Sequence, residues 1–273
     1  MHRTTPHQPL SSKDNAIIKR LRSLSEPRHR EQERAFLIEG VKMVEEALRD
    51  DAGVNMVVAA PALVQHHGKG VLKLAESKGI EVLWISERLM HALSDSKTPQ
   101  PVLAEVRMKQ YSEETLLADS AGLIVIAHQL QDPGNLGTII RTAEAVGASG
   151  IVVTPHTVDP YSAKAIRASM GSILRLPLVR IGHATTFIKT CRQKGFQTAA
   201  TVLSGDTTHV DIDLRKPTVV ILGQEGSGLP QDIMADVALH VRIPMATTID
   251  SLNVATSAAV ILYEAMRQRM EKR

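Results

Sequence analysis

Apolar positions recur along the chain at two spacings, and they mark out its elements. Ile17, Leu21 and Leu24 share one face of a helix that Ser12 or Asp14 can cap, with Arg20 and Arg22 pointing away from the stripe. A second basic segment, RHREQER at 28–34, leads to a short apolar run at Ala35–Ile38. Val41, Val44 and Leu48 then predict a helix beginning near Gly40. Val54–Ala60 and Glu81–Ile85 read as buried strands, with a helix carrying Val71, Leu72 and Ala75 between them. The turn SKTPQP at 96–101 precedes a strand over Val102–Met108. The expectation is a small α/β domain over 1–110, with a polar tail at 1–12.

The polar stretch KQYSEETLLADS follows, and 111–120 is expected to be a linker. Beyond it, strands and helices alternate through 121–273. Strands are expected at Leu123–Ala127, Ile151–Thr154, Leu178–Ile181, Thr198–Val202, Val219–Gly223 and Leu239–Ile243. A last helix runs from about Leu252, apolar at Val254, Ala258, Ile261, Leu262 and Ala265. Such alternation predicts an α/β domain built on a parallel sheet covered on both faces.

Charge sharpens this division. Residues 1–110 carry 17 Lys/Arg against 14 Asp/Glu, whereas the remaining residues carry 15 of each. The excess is densest between Lys13 and Arg34, with seven basic residues against four acidic ones. A basic face of this kind suits docking to a polyanion, and a solvated charged helix is the alternative. At 3% aromatic residues, a platform for stacking single-stranded bases is not expected. One cysteine, Cys191, excludes an internal disulfide and reads as a buried small hydrophobe in a reducing compartment. No apolar run reaches the roughly 18 residues of a membrane span, and the first residues lack the apolar core of a signal peptide, so the cytoplasm is expected. The eleven histidines, including the pair His66-His67, match no zinc spacing, so no metal is expected.

Three segments could carry chemistry, each following a strand. DPGNLGTIIRTAEAVGASG (132–150) starts with a turn and then a helix near Asn135. In that helix Leu136, Ile139, Ile140, Ala143 and Val146 form the buried face, and Arg141 lies off it with Glu144 one turn on and able to hold it. VVILGQEGSGLP (219–230) runs from a strand into a glycine loop where a ligand can approach the backbone. Its spacing is neither the dinucleotide nor the Walker pattern, and Glu225 would disfavour a phosphate and tolerate a cation. HVRIPMATTIDSLNVATSAA (240–259) ends a strand at Ile243-Pro244, and Ser251 or Asp250 can cap the final helix. His128, ending a strand near the first segment, reads as structural. Loops after separate strands of one open sheet converge on its carboxyl edge, where ligands bind.

Together these segments resemble the SpoU/TrmH family of RNA 2′-O-ribose methyltransferases, of the SPOUT superfamily. The likeness rests on Asn135-Leu136-Gly137…Arg141, Gly223-Gln224-Glu225-Gly226, and Ile243-Pro244-Met245…Ser251-Leu252-Asn253, in that order. Met170-Gly171-Ser172 and Leu176-Pro177 are similar to the family's segment between the first two. Asn15…Lys19…Leu21, Phe36 and Glu39-Gly40 are similar to the ribosomal-protein-like substrate-binding domain of many members. The resemblance implies a C-terminal domain threaded as a trefoil knot, a homodimer with its active site near the subunit interface, and S-adenosylmethionine as cofactor. It assigns cofactor contacts to Gly223, Ile243 and Leu252, with Leu222, Gln224, Glu225, Gly226, Pro244 and Met245 as neighbours and Thr201 as a further candidate. Thr247 stands where many members have Gly, and Gln224 where Asn, Ser or Ala is common; both leave main-chain contacts open.

The expected activity is methyl transfer to a ribose 2′-hydroxyl, for which the protein must align donor and acceptor and help the hydroxyl lose its proton. The resemblance gives Arg141 that task, either as base or as a clamp on phosphate and ribose. It makes Asn135 a positioning residue and leaves Glu225, Ser251 and Asn253 to shape the pocket. Lys19, Arg20, Arg22, Arg28 and Arg30 are the expected RNA contacts. Large-subunit ribosomal RNA is the favoured substrate. The alternatives are transfer RNA, a non-catalytic RNA-binding homologue, and a nucleotide-dependent enzyme acting on a small metabolite.

Overall fold

A computed structural model describes residues 8–64, 68–246 and 251–270. By contact the chain forms two units, one of Met1–Lys109 with Tyr161–Ile166, the other of Gln110–Pro160 with Arg167–Arg273. The first seven residues of the polar tail, the His66-His67 pair, Thr247 and Asp250 lie outside the described residues.

The first unit holds strands β1 (Ala35–Glu39), β2 (Val54–Ala59), β3 (Glu81–Trp84) and β4 (Val102–Arg107), in spatial order β1-β4-β2-β3. β4 pairs antiparallel with both neighbours, and β2 runs parallel to β3. Helices α1 (Ala16–Ser23), α2 (Pro27–Glu33), α3 (Val41–Arg49), α4 (Lys69–Ser77) and α5 (Glu87–Leu93) complete it. Ile18, Leu21 and Leu24 pack with Leu89 and Met90 against Val58, Leu83 and Leu103. Asn15, rather than Ser12 or Asp14, caps α1, because its Oδ1 lies next to the first turn and accepts from the Ile17 and Ile18 amides at 2.9 and 3.4 Å.

Two of the arginines expected to face RNA turn inward. Arg30 is only 4% exposed, and its guanidinium donates to the carbonyls of Leu24 and Ser25 at 2.7 and 2.6 Å, closing the end of α1. Arg20 makes a two-pronged pair with the buried carboxylate of Glu105 on β4, with Nη1 to Oε1 at 3.0 Å. That carboxylate lies 85 residues away in sequence, and burying it requires a cation. Lys19 is ion-paired with Asp14 at 2.9 Å on the surface, while Arg22 and Arg28 are exposed.

The second unit opens with a helix, α6 (Glu113–Leu117), where a linker was expected. Ser112 caps it, and Leu116 is fully buried, which anchors the segment to the core. Seven parallel strands follow: β5 (Leu123–Ala127), β6 (Gly150–Val153), β7 (Leu178–Arg180), β8 (Gln197–Thr201), β9 (Thr207–Thr208), β10 (Thr218–Leu222) and β11 (Leu239–Arg242). Their order is β7-β6-β5-β10-β8-β11-β9, so the late strand β10 lies between β5 and β8. Helices α7 (Pro133–Ala145), α8 (Ala163–Ser169), α9 (Ala184–Gln193), α10 (Gln231–Asp236) and α11 (Val254–Met270) connect them, α8 crossing the boundary between the units.

Strand residues alternate between the two faces. Ile124, Ile126, Val219 and Ile221 pack with Leu116 of α6, Phe187, Ile188 and Cys191 of α9, and Ile233 of α10. The opposite side chains of these strands are equally buried, and α7 packs against α11 through its apolar face. Among the described residues, no helix is long and apolar enough to cross a membrane.

Candidate active site

Strands β8, β10 and β11 end at the same edge of the sheet, and the segments after them enclose a cavity of about 480 Å³. Its lining includes nine residues singled out from the sequence: Thr201, Gly223, Gln224, Glu225, Gly226, Ile243, Met245, Ser251 and Leu252. The size lies within the roughly 300–1,000 Å³ of small-molecule pockets. Leu222 and Pro244, expected as neighbours, are outside the lining. Leu222 ends β10 with its side chain buried, and its carbonyl accepts from the His128 amide at 2.9 Å.

The loop over 223–228 closes on itself: Gln224 and Gly228 exchange main-chain hydrogen bonds of 3.2 and 2.9 Å. Gly228 makes this possible with φ +69°, and Ser227 Oγ reaches Gln224 Oε1 at 2.6 Å. At Gly223 the reason for glycine is proximity, since a Cβ there would sit 2.7 Å from the carbonyl carbon of Gly228. A ligand at this point meets main-chain atoms and the apolar side chains of Leu203, Leu229, Ile243 and Leu252. No phosphate cradle with a lysine is present among the lining residues. The set fits a nucleoside-like group with a cationic centre better than a polyanion, because Glu225 contributes the lining's formal charge.

A chain of side-chain hydrogen bonds ties the three segments together. Asn135 Nδ2 donates to Glu225 Oε1 at 2.8 Å, and its Oδ1 accepts from Asn253 Nδ2 at 3.0 Å. Asn253 Oδ1 accepts from the amides of Ala255 and Thr256 at 2.9 and 3.3 Å, so Asn253 caps α11. Of the two residues expected in that role, Ser251 lines the cavity instead and Asp250 lies outside the described residues. Asp132 caps α7 by accepting from the Asn135 amide at 2.9 Å, which places the helix start two residues before Asn135.

Arg141 lies two turns along α7 from Asn135, exposed, with no hydrogen bond or ion pair to any described residue. Glu144, expected to hold it, is engaged by Arg175. His128 is buried, with Nδ1 3.2 Å from Thr154 Oγ1, and desolvation lowers its pKa, which favours the neutral ring. Burial pushes the Cys191 thiol up to about 12. Among the described residues no cluster of His, Cys, Asp and Glu could hold a metal ion.

Sequence reasoning missed Leu203, Leu229, Met234, Val241 and Ser257 of the lining. Leu203 was within reach, because it follows the end of β8 as Thr201 does and is a 67% exposed leucine. Met234 and Ser257 come from helices that fold back over the loops, for which the sequence carries no local signal.

Fold and cavity define a parallel α/β protein that receives a small ligand on main-chain atoms at the carboxyl edge of its sheet. Comparison with known proteins makes this specific. Residues 122–263 match the SpoU rRNA Methylase family and residues 15–104 the MRM3-like substrate binding domain, and the chain belongs to the SpoU family. A relative from Bacillus subtilis, the 23S rRNA (guanosine(2553)-2'-O)-methyltransferase RlmP, is 30% identical over 93% of this chain and 97% of its own. The AdoMet-bound rRNA methyltransferase from Sinorhizobium meliloti is 35% identical and superposes with a TM-score of 0.83, covering 95% of this chain and 97% of that one. The SpoU methyltransferase AviRb from Streptomyces viridochromogenes, in complex with AdoMet, is 30% identical with a TM-score of 0.84, over 95% of this chain and 100% of that one.

Proposed function

We propose that the protein transfers a methyl group from S-adenosylmethionine to a ribose 2′-hydroxyl of 23S ribosomal RNA. The observation that carries this reading is the Glu225–Asn135–Asn253 chain, which joins the cavity loops to the helix bearing Arg141, an arginine with no partner among the described residues. The relatives that align across both units include enzymes named for 23S ribosomal RNA, which favours that substrate over transfer RNA.

The cofactor supplies an activated sulfonium methyl group, and the protein's task is alignment and charge. The loop over 223–228 with Ile243, Met245 and Leu252 would hold it, mainly through main-chain groups. Asn135 fixes the Glu225 carboxylate and the start of α11 in register, so the cavity keeps its shape while RNA enters. Guanidinium groups are poor bases, so the role left to Arg141 is that of a clamp. It orients the phosphate beside the target ribose and stabilises the oxygen as the hydroxyl proton passes to solvent water, with S-adenosylhomocysteine as the leaving group. Lys19, Arg22 and Arg28 in the first unit would contact the RNA backbone.

Three further elements belong to this reading. The late insertion of β10 between β5 and β8 supports a trefoil-knotted C-terminal segment. Tyr263 (53% exposed) and Met270 (61% exposed) mark an outward apolar stripe on α11 suited to a second copy, which supports a homodimer. A cytoplasmic location goes with a ribosomal substrate.

The test is 2′-O-methyl mapping of total RNA from cells with and without the protein, followed by transfer with purified components. One 23S site should lose its methyl group in the deletion and regain it in vitro. A change confined to transfer RNA overturns the substrate. Failure of the folded protein to bind S-adenosylmethionine or its demethylated product overturns the activity.

A further inference from the structure

On a helix surface, a carboxylate three residues after an arginine is the arginine's ordinary partner. Arg141 and Glu144 on α7 have that spacing, yet they do not pair. Glu144 is held instead by the fork of Arg175, with Nη2 to Oε2 at 3.0 Å and Nε to Oε1 at 2.5 Å. Ser172 also lies near that carboxylate and helps to hold it in its charged form. Ser172 and Arg175 belong to one tight turn after α8, in which the Arg175 amide donates to the Ser172 carbonyl at 3.1 Å. Two successive left-handed residues, Met170 (φ +50°) and Gly171 (φ +91°), bring the chain into this turn. For methionine this is an unfavourable conformation, kept only where the surroundings impose it.

We propose that Arg175 and Ser172 are positioning residues that withhold Glu144 from Arg141, leaving the Arg141 guanidinium open to an RNA phosphate. This rests on the reading of Arg141 as the phosphate clamp. The chemistry follows from charge. Arg175 first, and then Ser172, hold the Glu144 carboxyl below its usual range, so it is an anion throughout the neutral region. Left unpaired, that anion would compete with RNA for Arg141 and would repel the incoming phosphate. Neutralised by Arg175, it leaves Arg141 with its full charge. Neither Arg175 nor Glu144 lines the cofactor cavity, so the effect should fall on RNA alone.

The experiment is a charge-rescue series: wild type, Arg175→Ala, Glu144→Gln and the double variant. Each is assayed for kcat/KM with RNA and for S-adenosylhomocysteine affinity. Repulsion between unit charges about 6 Å apart corresponds to roughly a threefold loss of kcat/KM in bulk water and roughly a hundredfold loss near a protein surface, so Arg175→Ala, at a partly exposed site, should fall between them at roughly tenfold. Glu144→Gln should stay within about twofold of wild type, since it removes only an anion that is already neutralised. The double variant should recover most of the loss, with cofactor affinity constant throughout. A purely packing role predicts a double variant as impaired as Arg175→Ala; that result overturns the proposal, as does a fully active Arg175→Ala. If Arg175→Ala is too unstable to assay, Arg175→Gln carries the same comparison. A wild type that binds cofactor but methylates no RNA removes the parent reading and this inference with it; an active wild type with no rescue removes only the inference.

Discussion

Replacing Gly223 by alanine tests whether the cavity depends on main-chain proximity. The added Cβ would lie 2.7 Å from the carbonyl carbon of Gly228, 2.8 Å from its oxygen and 2.9 Å from Leu229 Cγ. Ordinary contact begins at 3.4 Å, so one side of the loop must retreat by about 0.7 Å. The neighbour is main chain and cannot rotate away. It is also bound across the loop, by a Gln224-to-Gly228 bond already 3.2 Å long. Overpacking of this kind costs roughly 1–3 kcal/mol. For a unit of this size, about 2 kcal/mol corresponds to a fall in Tm of roughly 4–8 °C. The displaced loop should also lose at least one main-chain hydrogen bond to the ligand, weakening binding roughly tenfold. Calorimetric titration with S-adenosylhomocysteine and thermal unfolding measure the two effects separately. Gly226→Ala is the control, because a Cβ there meets nothing within 4 Å, and its Tm should match wild type. A Gly223→Ala protein with unchanged Kd for the ligand would refute the main-chain account of the cavity.

Other substitutions probe separate links. Arg141→Ala should reduce methyl transfer by at least ~100-fold, the usual scale for losing a group that stabilises a developing oxyanion; near-normal methyl incorporation excludes Arg141 from the chemistry. Asn135→Ala removes the centre of the three-residue chain, leaving Glu225 and Asn253 without their shared partner, and turnover should fall by roughly tenfold or more while α7 stays folded by circular dichroism. Arg30→Ala leaves two carbonyls without their cationic donor and should destabilise the protein by about 1.5–3 kcal/mol, whereas Arg28→Ala should leave stability unchanged and lower the salt slope of RNA binding by roughly one. The buried Cys191 has a folded pKa raised to about 12 from 9.0, so its contribution is intact below the unfolded value and is lost as pH climbs from 9 toward 12. Cys191→Ser should flatten that alkaline loss of Tm, and the native thiol should resist aromatic disulfide reagents at pH 8.

The sheet was legible in the sequence because its strands are runs of buried β-branched residues; Leu123–Ala127 is found as expected and β8, β10 and β11 begin or end one residue away. The site was legible through glycine, proline and polar residues after those strands, and nine of the expected residues line one cavity. What could not be read was pairing at a distance. Arg20 and Arg30 look like surface cations until Glu105 and the end of α1 claim them. Likewise, nothing local in α7 indicates that Glu144 turns to Arg175 rather than Arg141. α6 was missed because a five-residue helix has only Leu116 to declare its buried side. The capping role of Asn253 was obscured by two equally good candidates just before it, Asp250 and Ser251.

The placement of β10 also sets a timetable for synthesis. Its neighbours β5 and β8 both leave the ribosome earlier, but both partners of β8 come later, so a nascent chain ending before Thr218 holds the half-sheet β7-β6-β5 with an open edge and β8 still unpaired. The strand that seals this gap is the one whose end bears the glycine loop. The cavity is completed only by β11 and the residues after it, so sheet and binding cavity both wait for the chain beyond Thr218, and a chain truncated there should have neither.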